Sequence, residues 1–229
     1  MLSFDRIPPE FHPALQHTID LWLGRTSSDQ HDELNQWLAA DGDDSHQLAR
    51  VWVASDYVAQ VAVNQAQDFL AWLAEGSFKR SLTQDDMAEN LSQRLQGVDD
   101  EKTFDRKLRQ FRRDMMMRIL WRDFCDLAPM SDTTLDMTHL AQVTIQASIK
   151  FHRQQLLPRL GVPMGCQSGA EQPLVVLGMG KLGGYELNVS SDIDLIFCYP
   201  EKGETEGGKK SISNQEYFIK LGQKPVSYT

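Results

Sequence analysis

Residues 174–199 read LVVLGMGKLGGYELNVSSDIDLIFCY, and no other stretch limits the fold as much. The runs 174–177 and 193–199 are short, apolar and β-branched or aromatic, so both are expected as buried strands. A glycine turn, with room for one turn of helix, joins them. Gly180, Gly183 and Gly184 directly follow the first run. Glycine there lets backbone N–H groups approach a phosphate closely, and Lys181 can add positive charge. A glycine turn after a strand is usually only a turn. The less ordinary feature is Asp192 and Asp194 beside Ile193, Leu195 and Ile196. Period 2 places both carboxylates on one face of a strand. Two like charges so close repel unless a cation lies between them. Magnesium carrying a nucleotide's phosphates fits that role. Together the glycines and aspartates form the pattern G-x11-D-x-D.

The remainder of the chain is mainly helical in pattern. Helices are expected over 11–23, 29–40 and 45–74, the second stopping at Asp41–Asp44 and the third at Gly76. Trp22, Trp37 and Trp52 recur every 15 residues, but their flanks differ, so each is expected as a core residue of its own helix. Residues 77–101 are polar and acidic, with Ser81 and Thr83 as helix starts. Over 102–124, Phe104, Leu108, Phe111, Met115 and Ile119 form one apolar stripe. Met115–Met117 is expected as core, and Arg106, Arg109, Arg112 and Arg113 as a solvated face. Asp132 is placed to cap a helix of about 133–160, ended by Gly161 and Pro163. The Gly/Pro/Ser-rich stretch 161–172 reads as a connector, and 201–210 as a charged loop. Ser213 and Glu216 have capping-box spacing at the head of a helix that Pro225 is expected to end. The last residues, from Pro225, show no evident partner.

The chain has 229 residues and a formal charge of −9. Its 41% hydrophobic content is enough for a sizeable core and excludes a disordered chain. Residues 1–101 carry 18 acids and 6 bases, whereas 102–122 carry 8 bases and 2 acids. A largely acidic surface repels nucleic acid, so none is expected as a partner. No run of 18 apolar residues is present, and no membrane partner is expected. The start lacks the n- and h-regions of a secretory signal. The six histidines show no metal spacing. Cys125, Cys166 and Cys198 are scattered without zinc or disulfide spacing, so a reducing cytoplasm is the expected compartment. Cys198, inside the second run, is expected as a small buried hydrophobe.

G-x11-D-x-D resembles the signature of the polymerase β-like nucleotidyltransferases. The longer wording GMGKLGG, ELN and SSDIDLIF resembles the bacterial bifunctional glutamine synthetase adenylyltransferase/adenylyl-removing enzymes. LRQFRRDMMMRILW at 108–121 and SDYVAQ at 55–60 are similar to further segments of that family, so the likeness covers about 45–224. The family has two nucleotidyltransferase units in tandem, and this wording is similar to the N-terminal, AMP-removing one. The resemblance implies an α+β fold: a helical region over 1–160, a connector over 161–172, and an incomplete nucleotidyltransferase unit over 173–229. It implies Mg²⁺-dependent phosphorolysis of the AMP–tyrosine bond on glutamine synthetase, giving ADP and active synthetase. Asp192 and Asp194 would be the catalytic, metal-holding pair. Gly180, Lys181, Gly183, Gly184 and Ser191 would contact nucleotide (ADP or ATP) or inorganic phosphate, though Ser190 and Ser191 also suit a plain turn. Glutamine synthetase and PII signal proteins are the implied partners.

The superfamily's third carboxylate lies on a later strand, and residues 195–229 contain no aspartate. Glu201, Glu204, Glu206 and Glu216 lack strand-like apolar flanks. The family helix after Gly222–Gln223 continues apolar, whereas here Lys224 and Pro225 follow. The expectation is a truncated or frame-shifted fragment with half a metal site, inactive by itself. Two other readings are a module that binds glutamine synthetase without chemistry, and an inert fragment that folds poorly.

Overall fold

The computed structural model describes residue 4, residues 6–40 and residues 42–226. The architecture is α+β, as expected, with long helices preceding two small sheets. The chain forms two compact units: residues up to 81 with 114–133, and residues 82–113 with 134 onward.

The first unit contains α1 (His12–Arg25), α2 (Ser28–Ala40), α3 (Gly42–Ala54), α4 (Asp56–Asn64) and α5 (Ala66–Glu75). The C-terminal half of α7 (Glu101–Phe124) completes it. Asp41, at the expected break after α2, lies outside the described residues. The stretch 45–74, expected as one segment, belongs to three helices. Ser55 separates α3 from α4, its hydroxyl accepting from the Val58 N–H at 3.3 Å. Gly76 ends α5 in the left-handed region at φ 60°, as expected. Aromatic rings fill the interior. Trp22 lies 6.0 Å from Trp52 and from Phe69, while Trp72 and Trp121 pack on Phe78 at 4.8 and 4.5 Å. The 15-residue tryptophan spacing therefore reflects a shared core, not a repeat. Arg118 and Arg122 are buried and donate to the carbonyls of Arg80 and Lys79 at 3.1 and 3.0 Å. This pins the chain after α5 with charge-assisted bonds.

The second unit holds α6 (Gln84–Arg94), the first half of α7, most of α8 (Met130–Leu160) and all four strands. Thr83 and Asp86 close a capping box on α6. The expected stripe of α7 is buried, and Phe104 stacks on Phe151 of α8 at 4.1 Å. In the first unit's half of α7, Met115 and Met117 are core and Met116 is half-buried; of the four arginines expected as a solvated face, Arg106 and Arg109 are exposed, whereas Arg112 and Arg113 are half-buried. Helix α8 starts three residues ahead of the expected site, so Asp132 lies inside its first turn. There the carboxylate still complements the helix dipole.

The supposed connector and charged loop each hold a strand. β1 (Gly161–Pro163) pairs antiparallel with β4 (Thr205–Gly207), Gly161 opposite Gly207. Gly161 has φ +76°, and a side chain there would overlap the Glu206 carbonyl, so only glycine serves. Between them, β2 (Val175–Gly178) pairs antiparallel with β3 (Leu195–Cys198), with Leu177 opposite Ile196. Helix α10 (Asn214–Val226) buries Tyr217, Phe218 and Leu221 with Leu160 and Ile212, and Tyr199 stacks on Phe218 at 4.7 Å. Ser213 caps it, accepting from the Glu216 N–H at 3.2 Å. The helix reaches Val226, past the proline expected to stop it. Such a difference lies within the usual blur of a helix end. The chain after Val226 lies outside the described residues.

Two expectations about β2 and β3 fail. Neither strand is buried on both faces: Val175, Leu177 and Ile196 are 39–47% exposed, alternating with half-buried Val176, Leu195 and Phe197. Short antiparallel pairs normally cover one face only, and here α10 covers the Phe197 side, where the backbone of Gly222 approaches the ring. Cys198 lies on the open face and is exposed, not buried. All three cysteines are free, and burial pushes the Cys125 thiol up to about 12. Thiolate character governs thiol reactivity. In the native chain at neutral pH, Cys166 and Cys198 are expected to react with Ellman's reagent within minutes, and Cys125 only after unfolding. A native protein in which Cys198→Ser removes no fast thiol would contradict the open hairpin face.

Candidate active site

The site is built on the turn that leaves β2. The Met179 N–H donates to the Asp194 carbonyl at 2.9 Å, which carries the β2–β3 pairing one step beyond both strands. Gly180 then takes φ +52°, a conformation glycine reaches without steric cost. From it runs α9 (Gly180–Gly183), a single turn. A Cβ at Gly183 would overlap the Gly178 carbonyl oxygen, so glycine lets this turn lie directly on the end of β2. A Cβ at Gly184 would meet nothing closer than 3.5 Å, so packing places no such demand there.

Beyond α9 the chain is anchored at two points. Glu186 N–H donates to the Lys181 carbonyl at 2.8 Å, closing the turn around Tyr185. Tyr185 has φ 59°, the left-handed place that glycine usually fills in such a cap. An aromatic residue held there costs about 1–3 kcal/mol. Leu187 is buried, and its N–H donates to the Thr138 hydroxyl at 3.3 Å. That hydroxyl in turn donates to the Thr134 carbonyl at 2.9 Å, so α8 fixes the loop.

The loop then turns into the aspartate pair. Ser191 N–H donates to the Asn188 carbonyl at 3.2 Å, and the Ser191 hydroxyl donates to Asn188 Oδ1 at 2.5 Å. Lys181 Nζ donates to the same hydroxyl at 3.3 Å, which ties α9 to the mouth of β3. Asp192 and Asp194 follow, both exposed. They precede β3 and do not lie within it, because regular pairing begins at Leu195. Their two-residue spacing still gives them the alternation of the open face.

One cavity of about 400 Å³ is lined by Met179, Gly180, Lys181 and Asn188 with Ser190, Ser191, Asp192 and Asp194. Five of the residues singled out in the sequence therefore meet there: Gly180, Lys181, Ser191, Asp192 and Asp194. Gly183 and Gly184 do not line it. Asn188 and the Met179 backbone were missed from sequence. The signal for Asn188 was present: an Asn two and three residues ahead of a pair of serines favours a side-chain-closed turn.

The donor set consists of hard oxygens: two carboxylates, two hydroxyls and the Asn188 carboxamide. Among the described residues no third carboxylate, histidine or cysteine joins the pair in a metal cluster. Two carboxylates suit Mg²⁺, which is usually held by one or two of them plus water and substrate phosphates. The residues present therefore fit that ion, and Asp192 and Asp194 are the side chains that would hold it.

The glycine turn and the carboxylate pair meet on one cavity of this α+β unit, and the family that the sequence matches is one of adenylyltransferases, a class of nucleotidyltransferase. The chain belongs to the glutamate-ammonia ligase adenylyltransferase family, whose model matches residues 45–228. It is 43% identical over 172 residues to the bifunctional glutamine synthetase adenylyltransferase/adenylyl-removing enzyme of Pseudomonas aeruginosa, covering 75% of this chain and 18% of the relative. The enzymes of that name from Shewanella loihica and Thioalkalivibrio sulfidiphilus are each 42% identical, over 174 and 172 residues, again covering 18% of the relative. The chain thus spans about a fifth of the length of these relatives.

The two packing demands on the glycines differ, and substitutions separate them. Gly183→Ala forces α9 away from β2 and is expected to destabilise by about 1–3 kcal/mol, the usual cost of overpacking. Gly184→Ala is expected to stay within about 0.5 kcal/mol of the parent. Denaturant melts of both variants check this, and equal losses would contradict the close approach of Gly183 to Gly178.

Proposed function

We propose that this chain carries the phosphate- and metal-holding part of an adenylyl-removing site acting on glutamine synthetase. The observation that supports this most is the convergence of Gly180 and Lys181 with Asp192 and Asp194 on one cavity. The relatives' name supplies the substrate, glutamine synthetase, and includes adenylyl removal.

In the proposed reaction an oxygen of inorganic phosphate attacks the phosphorus of the AMP–tyrosine diester. A new P–O bond forms, the bond to the tyrosyl oxygen breaks, and that oxygen takes up a proton. The products are ADP and unmodified synthetase. Asp192 and Asp194 would hold Mg²⁺, which when bound neutralises charge on the phosphates. The ammonium of Lys181 adds a second positive charge, and the Met179–Gly180 backbone approaches the phosphate oxygens. Ser191 and Asn188 keep Lys181 and the aspartates in register. The chain's contribution is positioning and charge neutralisation.

Turnover needs more than these residues. Among the described residues no third carboxylate joins the pair, so two of the three expected carboxylates are present, and the chain is short against its relatives. We therefore infer that the isolated chain is inactive and that the complete site forms in a protein of the relatives' length. PII signal proteins as regulators and the cytoplasm as compartment complete the proposal. Three free cysteines agree with a reducing compartment, and no described helix is long and apolar enough to cross a membrane. A module that binds glutamine synthetase without chemistry is the second reading, favoured by the missing third carboxylate.

Phosphate-dependent ADP release from adenylylated glutamine synthetase with Mg²⁺ tests this. The isolated chain is expected to release none. A protein of the relatives' length containing this chain is expected to release ADP, and Asp192→Asn with Asp194→Asn to lower the rate by at least about 10²-fold. Release unaffected by that double change would contradict the proposed role of the pair.

A further inference from the structure

A second cavity, of about 470 Å³, opens where α9 ends. Leu182, Gly183 and Tyr185 line it from the turn, and Gln84, Gln142 and Gln146 from α6 and α8. All belong to the same compact unit. The four residues of α9 rise only about 6 Å. Met179–Lys181 face the aspartate cavity at one end of that turn, and Gly183 and Tyr185 face this one at the other. One turn of helix therefore separates the two linings, a step on the order of 6 Å along the chain.

The lining has the chemistry of a heteroaromatic base. Gln84 Nε2 donates to Gln142 Oε1 at 3.0 Å, which fixes both amides. That bond leaves the Gln84 carbonyl as an acceptor and the Gln142 amide as a donor. Adenine presents the matching pair, an exocyclic amino donor beside a ring-nitrogen acceptor, and glutamine reads that edge in other settings. Gln146 is exposed at the rim with a further amide. Tyr185 offers a flat ring, 54% exposed, on a backbone held in the left-handed region. A glycine would take that backbone position without strain, so the ring is what the position gains. Rings of this kind stack on bases.

We propose that this cavity is the base subsite of the site described above, with Tyr185 stacking on an adenine ring and the Gln84–Gln142 pair selecting its amino edge. The inference rests on the nucleotide reading of the aspartate cavity. It assigns recognition of the base to residues outside the G-x11-D-x-D pattern.

Calorimetric titration of the 229-residue chain with Mg²⁺ and ADP, GDP or pyrophosphate separates the two. ADP is expected to bind at least tenfold more tightly than GDP, and GDP about as tightly as pyrophosphate. Gln142→Ala should erase the ADP preference without changing pyrophosphate affinity. Tyr185→Gly should weaken ADP about tenfold while leaving thermal stability equal or higher, which excludes simple misfolding. Asp192→Asn should weaken all three ligands alike. Pyrophosphate binding with no ADP preference would overturn the subsite and leave the phosphate reading standing. If ADP and pyrophosphate both fail to bind, adenosine alone, followed by saturation-transfer NMR, decides. Contact sensitive to Gln142→Ala upholds the subsite and sinks the phosphate reading, and no contact overturns both.

Discussion

The site depends on one close approach, the backbone of Gly183 lying against the carbonyl of Gly178. Without a Cβ at 183 the chain can reverse into α9 immediately after β2. Only then does the Met179 N–H remain free of the helix and reach the Asp194 carbonyl. That bond sets the aspartate pair beside the glycine turn and makes one cavity of two sequence-distant halves. Lys181 and Ser191 repeat the link with side chains, at 3.3 Å. The chemistry of Asp192 and Asp194 thus rests on a steric allowance nine residues upstream of the first of them.

Much of this was legible in the sequence because local rules and tertiary packing agree. The α7 stripe, the helix start at Thr83 and the Gly76 stop obey helix physics that needs no partner. The pattern G-x11-D-x-D named three of the residues that line the cavity, Gly180, Asp192 and Asp194, and the glycine-rich stretch inside it holds Gly183 and Gly184 as well. Its glycines, however, serve different ends. Gly180 meets a backbone angle, Gly183 a contact, and Gly184 neither. Spacing alone does not distinguish these demands.

What sequence did not yield is non-local or is decided by small margins. β1 and β4 are three residues each and pair across more than 40 positions, so neither carries a pattern of its own. The β2 and β3 runs are apolar enough to suggest burial on both faces. Their open face shows that an apolar run reports what a strand can bury, while its neighbours decide what it does bury. The first break in 45–74 turned on Ser55, whose cap interrupts an otherwise continuous apolar pattern, and the second falls at Gln65 without a side-chain cap. Tyr185 ran against the glycine rule for helix ends, and a residue that breaks a local rule is where function is best sought.

Paramagnetic broadening by Mn²⁺ in a ¹H–¹⁵N spectrum of the chain tests most directly whether the glycine turn and the aspartates form one site. Broadening is expected first at the amides of Gly180, Lys181, Ser191 and Asp192, and its loss in Asp192→Asn with Asp194→Asn. Broadening that spares Gly180 and Lys181 while affecting the aspartates, or that survives the double substitution, would contradict a shared cation and phosphate site.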